Sequence, residues 1–301
     1  MIGVAELRVG VSGWRYGPWR GAFYPRGLVQ RRELEFISRQ LNSVEINGSF
    51  YALQRPASYQ RWYEQTPDDF VFSVKGPRFV THMKRLRDVQ APLANFFASG
   101  VLALRHKLGP VLWQLPPRLQ FRPAVLEGFL AQLPGSTLEA ARLAELHDDR
   151  LDGRSLTSTD VDRPVRHAVE VRHASFAVPE FIRLLRAHEV ALVTADTAGK
   201  WPLLQEPTAD FAYLRLHGDQ ELYVSGYSEA ALDSWAARIR GWCGAGRDVY
   251  AYFDNDVKVH APYDAISLAA RLGLRPPEQA HLLDPARART VAGSPRPSWP
   301  G

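Results

Sequence analysis

Eight short runs rich in β-branched and aromatic residues recur along the chain, and helix-like segments separate most of them. The runs are RVGVSGW (8–14), SVEIN (43–47), VFSVKGP (71–77), VLWQLP (111–116), AVEVRH (168–173), ALVTAD (191–196), FAYLRLHG (211–218) and VYAYFDND (249–256). Runs of this kind, bounded by Gly, Pro or Asp, read as strands. The stretches 31–41, 56–66, 91–108, 124–133, 179–189, 228–242 and 264–273 carry apolar residues at spacings of three and four, the period of an amphipathic helix. Strand and helix in this alternation predict an α/β chain folded as a single (β/α)8 TIM barrel over residues 1–273.

The strands divide by parity. One parity is apolar, with Val9, Val11, Val44, Ile46, Phe72, Val74, Val169, Val171, Val193, Ala195, Leu214, Leu216, Ala251 and Phe253, and is expected to pack against the helices. The other holds Ser12, Glu45, Asn47, Ser73, Lys75, Gln114, Glu170, Arg172, Thr194, Asp196, Arg215, His217, Tyr252, Asp254 and Asp256. It is expected to face the barrel axis. Its ionisable members fall at the C-terminal ends of strands, where a barrel builds its active site.

Two stretches break the rhythm. Residues 134–166 are polar, rich in Asp and Arg and too long for a plain loop, and are expected to form an excursion on the barrel rim. Residues 274–301 are rich in Pro and have no sustained apolar period, so an extended or disordered tail is expected.

Composition narrows the function classes. A single cysteine, Cys243, excludes an intramolecular disulfide framework and a multi-cysteine zinc site. The first residues show no secretory pattern, and no run of about 18 apolar residues occurs, so a cytoplasmic protein without a membrane span is expected. The net charge of +5 favours anionic partners, nucleic acid among them. GVSGW is no nucleophile elbow, because Trp14 stands where the last Gly of G-x-S-x-G belongs. HEVAL (188–192) lacks the second His of a zinc-protease helix.

GVSGW, VEINGSFY, FVFSVKGPRFVTH, LGPVLWQLPP, HAVEVRHASF, TADFAYLRLHG and VYAYFDND, in that order, resemble the YecE-like family of bacterial TIM-barrel proteins, a domain of unknown function. The resemblance runs over about residues 7–272 and implies the same barrel. The positions that match the family's motifs are Glu45, Asn47, Lys75, His82, Gln114, Glu170, Arg172, His173, Asp196, Arg215, His217, Asn255 and Asp256. Asp254 stands where the family commonly has Asn.

Acids, cations and histidines converging on one barrel end exceed what packing requires. The expected catalytic residues are Glu170 as base and His217 as acid, with Lys75 and Asp196 in reserve. Arg172 and Arg215 form the expected charge clamp. Glu45, Asn47, His82, Gln114, His173, Tyr252, Asn255 and Asp256 complete the expected binding surface, and Trp14 joins it from the aromatic and Arg-rich first loop, 13–27. His217 is expected near the opening, in proton exchange with solvent. Glu170 with Arg215, or Glu45 with Arg172, are the expected ion pairs. A divalent metal would draw each ligand from a different strand, since no H-x-H or H-x-x-x-H pair occurs, and no metal ligand is assigned. The reading is an enzyme that cleaves a phosphorylated or nucleotide-containing anionic substrate by acid/base or metal-assisted chemistry. The alternative is a non-catalytic barrel binding an anionic ligand or nucleic acid as a sensor or accessory factor.

Overall fold

A computed structural model of the chain describes residues 5–274. Eight parallel strands close into a barrel in sequence order. They are β1 (Leu7–Ser12), β2 (Ser43–Ile46), β3 (Val71–Lys75), β4 (Leu108–Gln114), β5 (His167–Glu170), β6 (Ala191–Asp196), β7 (Phe211–Leu216) and β8 (Asp248–Phe253). Around them run α1 (Glu33–Ile37), α2 (Gly48–Tyr51), α3 (Pro56–Gln65), α4 (Gln90–Ala98), α5 (Pro123–Leu130), α6 (Thr137–Ala144), α7 (Pro179–Ala187), α8 (Glu229–Gly244) and α9 (His260–Arg271). Pro at the first turn starts α3, α5 and α7, where its fixed φ suits the helix and its missing N–H goes unused. β6 and β7 are joined without a helix.

Two cores result. The larger lies between sheet and helices; a smaller axial core contains Leu112, Ala168, Val193, Tyr213, Tyr250 and Tyr252. Gly10 marks how tightly the axis is filled, since a Cβ there would lie 2.1 Å from the Ser43 carbonyl oxygen.

The structure departs from the sequence reading at β6. Register partners in a sheet share a face, and Ala195 pairs with Arg215 while Asp196 pairs with Leu216. Val193 and Ala195 therefore face the axis, and Thr194 and Asp196 face the helices. The alternation in ALVTAD misled because both parities carry small residues. Those at the axis leave room for Tyr213 and Arg215 on the next strand.

The stretch 91–108 is not one helix. α4 ends at Ala98, and Gly100 takes a φ of 113° with its Cα against Pro56, where a Cβ would lie 2.4 Å from the Pro56 Cα. Only Gly fits there. β4 accordingly begins at Leu108, earlier than the expected 111.

The excursion over 134–166 contains α6, packed on α4. Its base is closed by a Ser136–Pro164 bridge and by the Val165 N–H donating to the Gly135 carbonyl at 2.9 Å. It leaves and rejoins the barrel just before β5, at the end opposite the catalytic mouth of such folds. The expected tail lies outside the described residues apart from Leu274. No helix among the described residues is long and apolar enough to cross a membrane.

Candidate functional site at the barrel mouth

Arg215 organises the interior. Its Nε donates to Glu45 Oε2 at 3.1 Å, and its Nη1 to Glu170 Oε2 at 2.6 Å. Its Nη2 donates to Glu45 Oε1 (2.9 Å), Ser12 Oγ (2.9 Å) and Asp254 Oδ2 (2.8 Å). The guanidinium is fully buried. Burial opposes its charge, but Glu45, Glu170 and Asp254 hold it protonated beyond the usual arginine range. The other oxygen of Glu170 accepts from Arg172 Nε at 2.7 Å. Burial also works against ionised Glu170, yet Arg172 and Arg215 keep its carboxyl well below the ordinary range. Asp254 is held down likewise: burial opposes its charge, and Arg215, His217 and Lys75 together outweigh burial.

Three carboxylates converging on one guanidinium do not fit a metal ion, since the cation already occupies their focus. Among the described residues no group of three or more His, Cys, Asp or Glu is disposed to ligate one.

The β3–β5 side of the mouth is positive. Lys75 ends β3 with its Nζ 4.4 Å from the Phe50 ring centre, and no hydrogen bond or ion pair reaches it among the described residues. Burial and the neighbouring Arg215 pull its amine down to about 8. Arg172 stacks on Trp201, with Cζ 3.9 Å from the ring centre, and its Nη2 donates to Tyr223 Oη at 3.2 Å. His82 lies in a π-helical turn, 79–83, with Nδ1 2.9 Å from Thr81 Oγ1. Burial, then Lys75, Arg172 and Arg78, push its imidazole down to about 4. The neutral His82 thus registers the positive field around it.

The β8–β1 side is acidic. Asp256, just beyond β8, is pushed up to about 8 by burial and by the charge of Asp254, with Tyr16 opposing. Its Oδ1 is buried without a partner, as is Asn47 Oδ1. Asn47 Nδ2 donates to Ser12 Oγ at 2.8 Å. Beside it Trp14, Tyr16, Asn47 and Trp62 line a cavity of about 270 Å³.

Most of the expected site residues meet at this end, though in different company from that expected. Glu45 pairs with Arg215 and Glu170 bridges Arg215 and Arg172, so of the expected pairs the first forms and the second does not. His217 is fully buried, with Nδ1 3.1 Å from Asp254 Oδ2, which corrects the expectation of proton exchange with solvent. Burial and Arg215 lower its pKa. Asp196 lies apart, facing the helices, and accepts from Tyr227 Oη at 3.1 Å. Gln114 is buried beside Glu170 in register. Tyr252 sits deeper, its hydroxyl 2.7 Å from Ser43 Oγ. Asn255 is held by Asp264 and the Ser225 carbonyl, and His173 by Ser175.

Trp14 borders the cavity, but Trp19, Phe23 and Tyr24 of the first loop pack with Phe36 and Tyr263 as core. Trp201 and Tyr223 were missed. Both lie in loops, where no periodic pattern marks them.

A family model described as "Protein of unknown function DUF72" matches residues 8–289. The UPF0759 protein YecE of Escherichia coli (strain K12) is 34% identical over 131 residues, 43% of this chain and 45% of that protein. The UPF0759 protein YunF of Bacillus subtilis (strain 168) is 29% identical over 116 residues, 37% of this chain and 40% of that protein. The matched stretches thus span less than half the length of these curated relatives. A crystal structure of a DUF72 family protein from Thermotoga maritima MSB8 superposes with a TM-score of 0.73 at 25% identity, covering 89% of this chain and 99% of that one. One from Enterococcus faecalis V583 gives 0.69 at 15% identity over 89% and 96%, a likeness of fold alone.

Proposed function

The chain belongs to the DUF72 family of proteins of unknown function, and from there we propose that it is an enzyme cleaving a phosphorylated anionic substrate by acid/base chemistry at the barrel mouth. The observation that carries this reading is the polarity of the mouth. Lys75 without an ionic partner, Arg172 and the depressed His82 make one side receptive to an anion, while the other side carries a protonated carboxyl on Asp256.

The substrate's phosphate meets Arg172, which is held rigid by Glu170, Tyr223 and Trp201. Lys75 is the base. An amine with a pKa near 8 is free in about a tenth of molecules at pH 7, enough to take a proton from the substrate. As Lys75 takes the proton from the carbon next to the scissile C–O bond, the electron pair forms a C=C bond, the C–O bond breaks, and Asp256 gives its own proton to the leaving oxygen. Glu170, bound to Arg172 and Arg215, and His217, packed against Arg215 and Asp254, position the reacting groups.

The test is a screen of phosphorylated sugars and nucleotides for turnover. For any compound consumed, Lys75→Met and Asp256→Asn are each expected to lower kcat by about a hundredfold or more, and Arg172→Gln to raise KM. Undiminished turnover in Lys75→Met overturns the assignment. The saturation of Arg215 by carboxylates favours a second reading, a barrel that binds an anion without turning it over. Phosphate binding that needs Lys75 and Arg172, with no compound consumed, is the result that second reading expects.

A further inference from the structure

Outside the mouth, a groove of about 370 Å³ lies on the same face, between the loops that follow β3 and β4. Its cations are Lys84, Arg85, Arg87, Arg118 and Arg122, and no acidic residue lines it. None of the five has an ion-pair partner among the described residues, whereas Arg20, Arg32, Arg163, Arg166 and Arg271 all do. Leu86, Leu119, Val125, Leu126 and Phe176 make its floor apolar. Five unneutralised charges around one depression repel each other, so the arrangement costs stability unless an anion fills it.

The backbone is shaped to hold them there. After the π-helical turn at 79–83, Arg85, Leu86 and Asp88 all take left-handed φ values, of 51°, 67° and 49°. Residues with side chains rarely adopt this region, because it strains the backbone. The kinked loop folds Leu86 inward and leaves Arg85 and Arg87 exposed. The same loop carries His82, so the groove continues the positive side of the mouth.

We propose that this groove binds single-stranded nucleic acid. A nucleic-acid strand presents charged phosphates along one edge and flat, weakly polar bases along the other, which matches a cationic rim over an apolar floor. An acidic peptide offers the charge but not the flat apolar face. The groove's volume, within the range of about 300–1,000 Å³ usual for small-ligand sites, suits one nucleotide of a strand whose neighbours lie along the rim. The proposal is separate from the mouth chemistry and does not require the strand to be the compound cleaved.

The test is fluorescence anisotropy of the full chain with a fluorescein-labelled single-stranded oligothymidylate, read across a salt series. Binding is expected to weaken with salt at a logarithmic slope of up to about −3.5, as for about five phosphate contacts on a single strand. Arg85→Glu combined with Arg118→Glu is expected to weaken binding at least tenfold. Arg142→Glu on α6 and Lys75→Met in the mouth should leave it unchanged. If the double charge reversal does not fold, Arg85→Gln and Arg118→Gln are measured singly, each with a smaller loss expected. No binding at low salt overturns the proposal, as does binding indifferent to the groove variants. Loss of binding in Lys75→Met alone places the anion in the mouth, which overturns the groove assignment and leaves the mouth reading standing. Poly-glutamate bound as tightly as the oligonucleotide overturns the choice of nucleic acid.

Discussion

Arg215 is where the interior charges are reconciled, and its removal has a predictable cost. Taking one partner from a buried ion pair leaves the others uncompensated and destabilises by about 3–5 kcal/mol. Arg215→Met leaves Glu45, Glu170 and Asp254 facing one another without their shared cation. Urea unfolding of this variant is expected to show a loss of that size; a loss under about 1 kcal/mol would mean that the three carboxylates are protonated or rearranged. Asp256 gives the opposite effect. Its folded pKa of about 8 lies above the unfolded value near 3.8, so the native state holds the proton longer over that interval. The contribution is present below about pH 4 and is lost as pH rises through 8. Asp256→Asn should therefore match wild type in thermal midpoint near pH 4 and exceed it by a few degrees near pH 8. A constant difference across that range would deny the buried, raised carboxyl.

At the scale of elements, the barrel's axis sets what each strand may carry. β1 passes beneath Tyr252 only because Gly10 has no side chain, and a Cβ there meets the β2 backbone, which cannot step aside. Gly10→Ala is expected to destabilise by about 1–3 kcal/mol or to prevent closure. Denaturant midpoints read this directly, and a neutral result would show that β1 and β2 can separate. The strands themselves were legible in sequence because seven of the eight carry a polar parity facing the axis. β6 was not, since Ala191, Val193 and Ala195 are small for a reason that lies on β7, in Tyr213 and Arg215. A single strand does not record what its neighbour needs.

For the whole molecule, the fold could be read from alternation and the site's location from the strand ends, whereas the partnerships within the site could not. Glu170, Arg172 and Arg215 were recognisable as charged mouth residues. That Arg215 is saturated, Lys75 unpaired and His217 closed off depends on which strands stand opposite across the axis, a property of closure that no local pattern carries. Loop residues Trp201 and Tyr223, which fix Arg172, are silent in sequence for the same reason. Phosphate that binds the folded mouth stabilises it by mass action, by about 2.7 kcal/mol at a hundredfold excess over Kd. A melting series in phosphate should show this rise in wild type and its absence in Arg172→Gln; equal rises in both would move the anion elsewhere.

Competitive acetylation with acetic anhydride across pH, read by mass spectrometry of the Lys75 peptide, shows whether Lys75 is an unpaired, low-pKa amine in an anion-receptive mouth. Reactivity is expected to rise with a midpoint near pH 8, and inorganic phosphate to protect Lys75 and shift that midpoint upward, because a bound anion favours the ammonium form. A midpoint at the ordinary lysine value of about 10.4, unaltered by phosphate, would contradict it.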